Sequence, residues 1–201
     1  MPRRSTGLYP PDGAGHRARG EVLAQGDGGS VVKAISLTQP WATLVALREK
    51  RIETRSWTTS YRGPIAIHAA KAMPDYAVDV LSEEPFRATL GLHFRDDDPL
   101  TWGDRLPRGC IVAVAELTHC FRLNEMAETW ARKCGYEGRL PRHEAGFGDF
   151  TAGRHGFLFS LVRALPEPIP CRGALGLWEV PAEIAARMDE LLGLERATVL
   201  G

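Results

Sequence analysis

The chain has 201 residues, 44% of them hydrophobic, with 25 basic and 25 acidic side chains. That length and apolar fraction suit one globular domain with irregular ends. The charge balance argues against a protein that coats nucleic acid by electrostatics alone, and no apolar run reaches the length of a membrane span, so no membrane partner is expected.

Residues 1–30 hold Pro10-Pro11 and many glycines without an apolar period, the composition of a flexible leader. Val31 to Leu37 is the first expected strand. Thr38-Gln39-Pro40-Trp41 then opens a short helix, with Thr38 or Gln39 as its cap and Pro40 in the first turn, where a missing N–H costs nothing. Trp41, Leu44, Val45 and Arg48 follow at helical spacing, so Trp41 reads first as a core anchor. Gln39, at the helix entrance, is the better candidate for a polar ligand contact.

Lys50 to Trp57 reads as a strand of unusual composition. Period-two alternation puts Arg51, Glu53, Arg55 and Trp57 on one face. A buried face would want aliphatic residues, and a solvated one has little use for a Trp. A pocket wall suits all four: Glu53 fixes a cation, Arg55 meets an anion and Trp57 stacks on a flat ring. A surface strand with internal ion pairs is the plainer alternative. A turn with Tyr61 and Arg62 leads to a strand from Pro64 to Ala70, in which Ile65, Ile67 and Ala69 share one face and His68 stands on the other. Lys71 ends it.

Between Arg48 and Lys71 there are six basic and two acidic residues; between Asp75 and Asp104 the count is eight acidic and two basic. A basic centre beside an acidic flank predicts a local anion site on a neutral protein, the flank itself being solvated loop. Pro74 to Leu81 is expected as a helix with Tyr76, Val80 and Leu81 inward. Residues 82–107, broken by prolines, are expected to be irregular. Cys110 to Leu117 is an apolar strand buried on both faces. A helix is expected from about Asn124 to Cys134, then a loop from Tyr136 to Gly153. His143-Glu144 begins like a zinc-protease helix, but Phe147 stands where the second His belongs, so no metal site is expected. Asp149, Arg154 and His155 are the polar residues of note beside that loop. A strand from Gly156 to Ala164, an extended proline segment, a short strand from Leu177 to Val180 and a helix from Pro181 to Leu192 complete the chain. The four cysteines form no C-x-x-C pair, and no signal peptide precedes them, so a reduced cytoplasmic protein is expected.

Several of these residues together resemble the ASCH (activating-signal-cointegrator homology) domain family. They are Leu37-x-Gln39-Pro40-Trp41-Ala42, Lys50-x-x-Glu53-x-Arg55-Ser56-Trp57, Arg62-Gly63 and Ile67-x-Ala69-x-Lys71. The family pattern is Gly-x-Lys-x-x-Glu-x-Arg; Lys50, Glu53 and Arg55 match it, and Arg48 replaces the Gly. The Gly109-Cys110 strand and the Ile169, Gly173, Leu177-Trp178 ending are similar to the cointegrator-type branch. The resemblance implies an α+β, PUA-like mixed β-barrel of about six short strands over residues 31–193, decorated by helices, with a cleft beside the motif helix and a tail at 194–201.

It also implies a nucleic-acid-binding module, for RNA or DNA, using a basic cleft for single strands or exposed bases. The expected contacts are Gln39, Lys50, Glu53, Arg55, Trp57, Tyr61, Arg62, His68, Lys71 and Arg154, with no cofactor. Two alternatives stay open: a hydrolase acting on a modified nucleoside or RNA, with proton transfers by Lys50, Glu53 and His68 or His155, and a protein-interaction module whose charged strand pairs internally. In a deacetylating branch of the family a Thr stands where this sequence has Glu53. Glu53 beside Arg55 therefore reads as an organiser of cations.

Overall fold

A computed structural model describes residues 32–95, 98–123 and 142–193. The expected leader, the tail and the helix expected near 124–134 lie outside the described residues. The described strands are β1 (Lys33–Leu37), β2 (Ile52–Arg55), β3 (Gly63–Ala69), β4 (Cys110–Arg122), β5 (His155–Pro170) and β6 (Leu177–Glu179). The helices are α1 (Trp41–Ala46), α2 (Asp75–Asp79), α3 (Phe86–Phe94), α4 (Pro99–Arg105), α5 (Arg142–Gly146) and α6 (Ala182–Leu191), with a 3₁₀ turn at Val80–Ser82.

The strands form one mixed sheet in the order β2-β5-β4-β3-β1-β6, curled as a half-barrel. Only β1 and β3 run parallel, with Ile35 opposite Ile67. The other pairs are antiparallel. The six expected strands are present, but two of them are long: β4 has 13 residues and β5 has 16. Register shifts along the β4–β5 pair bend it, which lets two long strands curl around a small core.

Alternation assigns the two sheet faces. Ile35, Leu37, Ile65, Ile67, Phe157 and Phe159 pack with Ala42 and Val45 of α1. Ala34, Ala66, Val114 and Ile169 pack on the opposite face under Ala185 and Met188 of α6. Residues 110–115 are buried, as a strand covered on both faces must be. Each fully buried aliphatic or Phe side chain contributes roughly 1.5–3 kcal/mol.

The stretch expected to be irregular, 82–107, instead folds as α3 and α4. Phe86, Leu90, Phe94, Trp102 and Leu106 are buried with Leu44 and Phe147. The prolines start helices here: Pro85 is the N-cap of α3, and Pro99 is the first residue of α4. Residues 142–146, expected as loop, form the short helix α5. Tyr76, expected inward, is 59% exposed; Ala77 and Leu81 take the buried positions. Leu161, expected on the Phe157–Phe159 face, is exposed at φ 48°, and Val162 packs in that core instead.

Candidate functional site

β2 is a four-residue edge strand whose neighbour is β5. Its Ile52 and Thr54 are buried, and Glu53 and Arg55 face a cleft of about 650 Å³. One wall comes from Ser36, Leu37 and Thr38 at the end of β1 and from Trp41 of α1. A second comes from Tyr76, Val80, Glu83, Glu84 and Phe86. Gly146 to Asp149 and Arg154 form the third, and Ser56 and Trp57 close one end.

At the floor Glu53 holds two cations. Its Oε1 lies 3.0 Å from Arg55 Nε, and its Oε2 lies 3.5 Å from Lys50 Nζ. The Arg55 Nε–H is not aligned for a hydrogen bond, so that contact is Coulombic. Arg55 Nη2 donates to the Ser36 carbonyl at 2.7 Å, which ties the motif strand to β1. Lys50 is wholly buried. Its ammonium donates to the carbonyls of Ile52 and of Phe147 (3.0 Å), joining β2 to the third wall. Gly148 allows that approach, since a Cβ there would stand 3.3 Å from Lys50 Nζ and 3.0 Å from the Phe150 ring. Arg154 Nη2 donates to the Thr54 carbonyl at 3.1 Å, and its Nε lies 3.3 Å from Asp149 Oδ2. Hydrogen bonds from Thr151 and the Arg154 charge hold the Asp149 carboxyl below its ordinary range.

Of the ten residues expected at the site, Glu53, Arg55, Trp57 and Arg154 line the cleft. Lys50 lies beneath it. Gln39 is buried: its Nε2 donates to the Pro107 carbonyl at 2.6 Å and its Oε1 accepts from the Thr43 N–H at 3.1 Å, so the amide caps α1. The cap role was expected of Thr38 or Gln39, but Pro40, joined to Gln39 by a cis peptide bond, occupies the N-cap position itself. His68 is buried outside the cleft lining, with Nδ1 3.1 Å from Ser36 Oγ and Nε2 3.0 Å from the Cys171 carbonyl. Tyr61 donates its hydroxyl to the Pro64 carbonyl. Arg62 donates to the carbonyls of Thr59, Tyr61 and Cys120. Lys71 is exposed beside Gly109. None of these last three lines the cleft.

The basic residues of 48–71 therefore do not converge, and the cleft is not basic. Its lining carries four carboxylates (Glu53, Glu83, Glu84, Asp149) and two guanidinium groups (Arg55, Arg154). Glu83 and Glu84 belong to the flank read as solvated loop. Glu144, noted only for its failed zinc motif, is buried and accepts the backbone N–H groups of Arg51 and Ile52 at 2.9 and 3.0 Å. That anchors α5 to the start of β2. Among the described residues no cluster of His, Cys, Asp or Glu could hold a metal ion, and no helix is long and apolar enough to cross a membrane.

Comparison with known proteins adds sequence and fold likeness. The ASCH domain family profile matches residues 35–163. The chain is 33% identical over 94 residues to activating signal cointegrator 1 of Homo sapiens, and equally to that of Mus musculus. The match covers 47% of this chain and spans 15% of the length of each relative. Among solved structures, ASCH from Zymomonas mobilis aligns with a TM-score of 0.43 at 14% identity, covering 79% of this chain and 94% of that one. A mutant of the same protein aligns with a TM-score of 0.44 at 15% identity, covering 81% and 99%.

Proposed function

The chain belongs to the ASCH domain family, and on that premise we propose that it is a nucleic-acid-binding module that takes an exposed base into the cleft beside Glu53 and Arg55. The observation that carries this reading is a single cleft, about 650 Å³, in which the motif pair Glu53–Arg55 forms the floor and Trp41, Trp57 and Tyr76 stand in the walls. That volume falls in the range of small-molecule sites. An Arg beside a carboxylate offers donors and acceptors side by side, which suits the edge of a base, and the aromatic rings offer it a stacking surface. The role of each residue follows from its place. Arg55 and Trp57 contact the ligand, Glu53 orients Arg55, and Lys50 and Glu144 hold the cleft walls on β2.

The hydrolase alternative finds no support in Lys50, because its ammonium is wholly buried and already directed at two carbonyls and Glu53. The interaction-module alternative wants an internally paired strand without a cleft. The pairing is present, but so is the cleft.

The test is fluorescence anisotropy with single-stranded DNA and RNA at several salt concentrations. Stacking on an aromatic ring is worth roughly 1–3 kcal/mol per base, so Trp57→Ala should weaken binding by about 5- to 150-fold. Arg55→Ala should weaken it as well. No binding at low salt, or full binding by Arg55→Ala, would reject the reading.

A further inference from the structure

The cleft lining holds two chemically different sets of side chains. At the floor each guanidinium already has a carboxylate, Arg55 with Glu53 at 3.0 Å and Arg154 with Asp149 at 3.3 Å. The other set is aromatic and acidic. The Trp41 ring lies 6.3 Å from Tyr76 at an interplanar angle of 45°, and 5.6 Å from Phe86 at 81°. Tyr76 is 59% exposed and borders the cleft, so its ring is accessible to a ligand. Glu83 and Glu84 line the same cleft, and Glu84 is two residues before Phe86 in the chain. Glu84 meets Arg87 Nε at 3.3 Å. Glu83 makes no ion pair among the described residues.

We propose that the base this cleft selects is cationic, an N-alkylated heterocycle carrying a delocalised positive charge. The inference rests on the base-binding reading above and adds the ligand's charge to it. A ring face is negative at its centre and attracts a cation within about 6 Å. The carboxylate of Glu83 acts in the same direction. A neutral base stacks on the same rings and gains nothing from that carboxylate, while a phosphate near it is repelled. A cation that lies against the rings uses both features together. A methylated ammonium from a peptide would also use the rings, but it has no edge to present to the donor and acceptor pair at the floor. A planar base uses the ring wall and the Glu53–Arg55 floor at once.

The test is calorimetric titration of the full chain with guanosine, N7-methylguanosine, unmodified single-stranded RNA, and a peptide containing trimethyl-lysine. N7-methylguanosine should bind on the order of tenfold more tightly than guanosine. Glu83→Gln and Tyr76→Ala should each shrink that ratio below about threefold. Both are exposed surface positions, and circular dichroism checks that the variants fold. Equal affinity for the two nucleosides, with RNA still bound, would overturn the cationic selectivity and leave the base-binding reading standing. Failure to bind any nucleoside or RNA would overturn both. A trimethyl-lysine peptide binding as tightly as N7-methylguanosine would also overturn the proposal, because the floor pair would then contribute nothing.

Discussion

Arg48 stands where the family pattern has Gly, and it adopts φ 67°, the left-handed region that glycine enters freely. A side chain there costs about 1–2 kcal/mol. Arg48 offsets part of this by donating its Nε–H to the Val162 carbonyl at 3.0 Å, a bond worth about 1 kcal/mol. Arg48→Gly removes strain and bond together and should change stability by less than about 1 kcal/mol. Arg48→Ala keeps the strain and loses the bond, so it should be the less stable of the two in urea unfolding; the reverse order would contradict this account. His68 supplies a second test. Its Nε2 faces a carbonyl, which only accepts, so the ring proton sits on Nε2 and Nδ1 faces Ser36. Burial holds the imidazole below its ordinary value of 6.5, and the Cys171 hydrogen bond opposes that only in part. The folded state then binds fewer protons than the unfolded chain as pH falls below 6.5. The contribution of His68 to stability is present above that pH and is lost as pH drops towards the folded value. Urea-unfolding free energies measured on both sides of that window should fall less on acidification in His68→Gln than in the parent chain. Equal pH dependence would show that His68 is not held neutral by the fold.

The cleft owes its shape to how short elements meet. Gly146, the last residue of α5, abuts Pro85 at the start of α3: a Cβ on Gly146 would stand 2.5 Å from Pro85 Cδ and 2.7 Å from Cγ. Neither the proline ring nor the helix end can yield cheaply, and Gly146 and Glu84 border the cleft on two walls that adjoin at this contact. Gly146→Ala should therefore cost about 1–3 kcal/mol of stability by overpacking and should weaken oligonucleotide binding at the same time. Gly103→Ala, inside α4 and with Leu81 Cδ1 at 3.8 Å as the nearest atom to a new Cβ, is the control expected to raise stability by about 0.5–1 kcal/mol and to leave binding unchanged. This contact was not legible in the sequence, because it joins residues about sixty positions apart through the absence of a side chain. Period-two alternation was legible in β3, where Ile65, Ile67 and Ala69 fell together in one core layer, and it failed at Leu161, whose φ of 48° breaks the alternation of β5. Helices α3 and α4 were not legible, because Pro85 and Pro99 read as breakers when they are helix starts. The surrounding acidic residues hid the apolar period of Phe86, Leu90 and Phe94.

Across the whole molecule, a run of basic residues in sequence did not become a basic surface. The motif set was legible as a set: Glu53, Arg55 and Trp57 do border one cleft. What each cation faces depended on partners brought in by the fold. Arg48 turns to Val162, Lys50 goes inside, Arg62 binds carbonyls of its own turn and of β4, and Lys71 lies away from the cleft lining. The acidic flank, read as solvated, supplies Glu83 and Glu84 to the wall. This distribution has a measurable consequence for the proposed function. Each phosphate neutralised by a cation on a single strand contributes about −0.7 to the slope of log K against log salt concentration. Arg55 and Arg154 are the two cations lining the cleft, and each is already matched by a carboxylate. Binding of a single-stranded oligonucleotide should therefore show a slope no steeper than about −1.4, the value for two phosphates. A basic groove engaging Lys50, Arg55, Arg62, Lys71 and Arg154 together would give a slope near −3.5. Anisotropy titrations over a tenfold range of salt separate these values. A slope near the steeper figure would mean that the nucleic acid runs over the surface bearing Arg62 and Lys71, and the cleft would no longer be the place where the ligand is held.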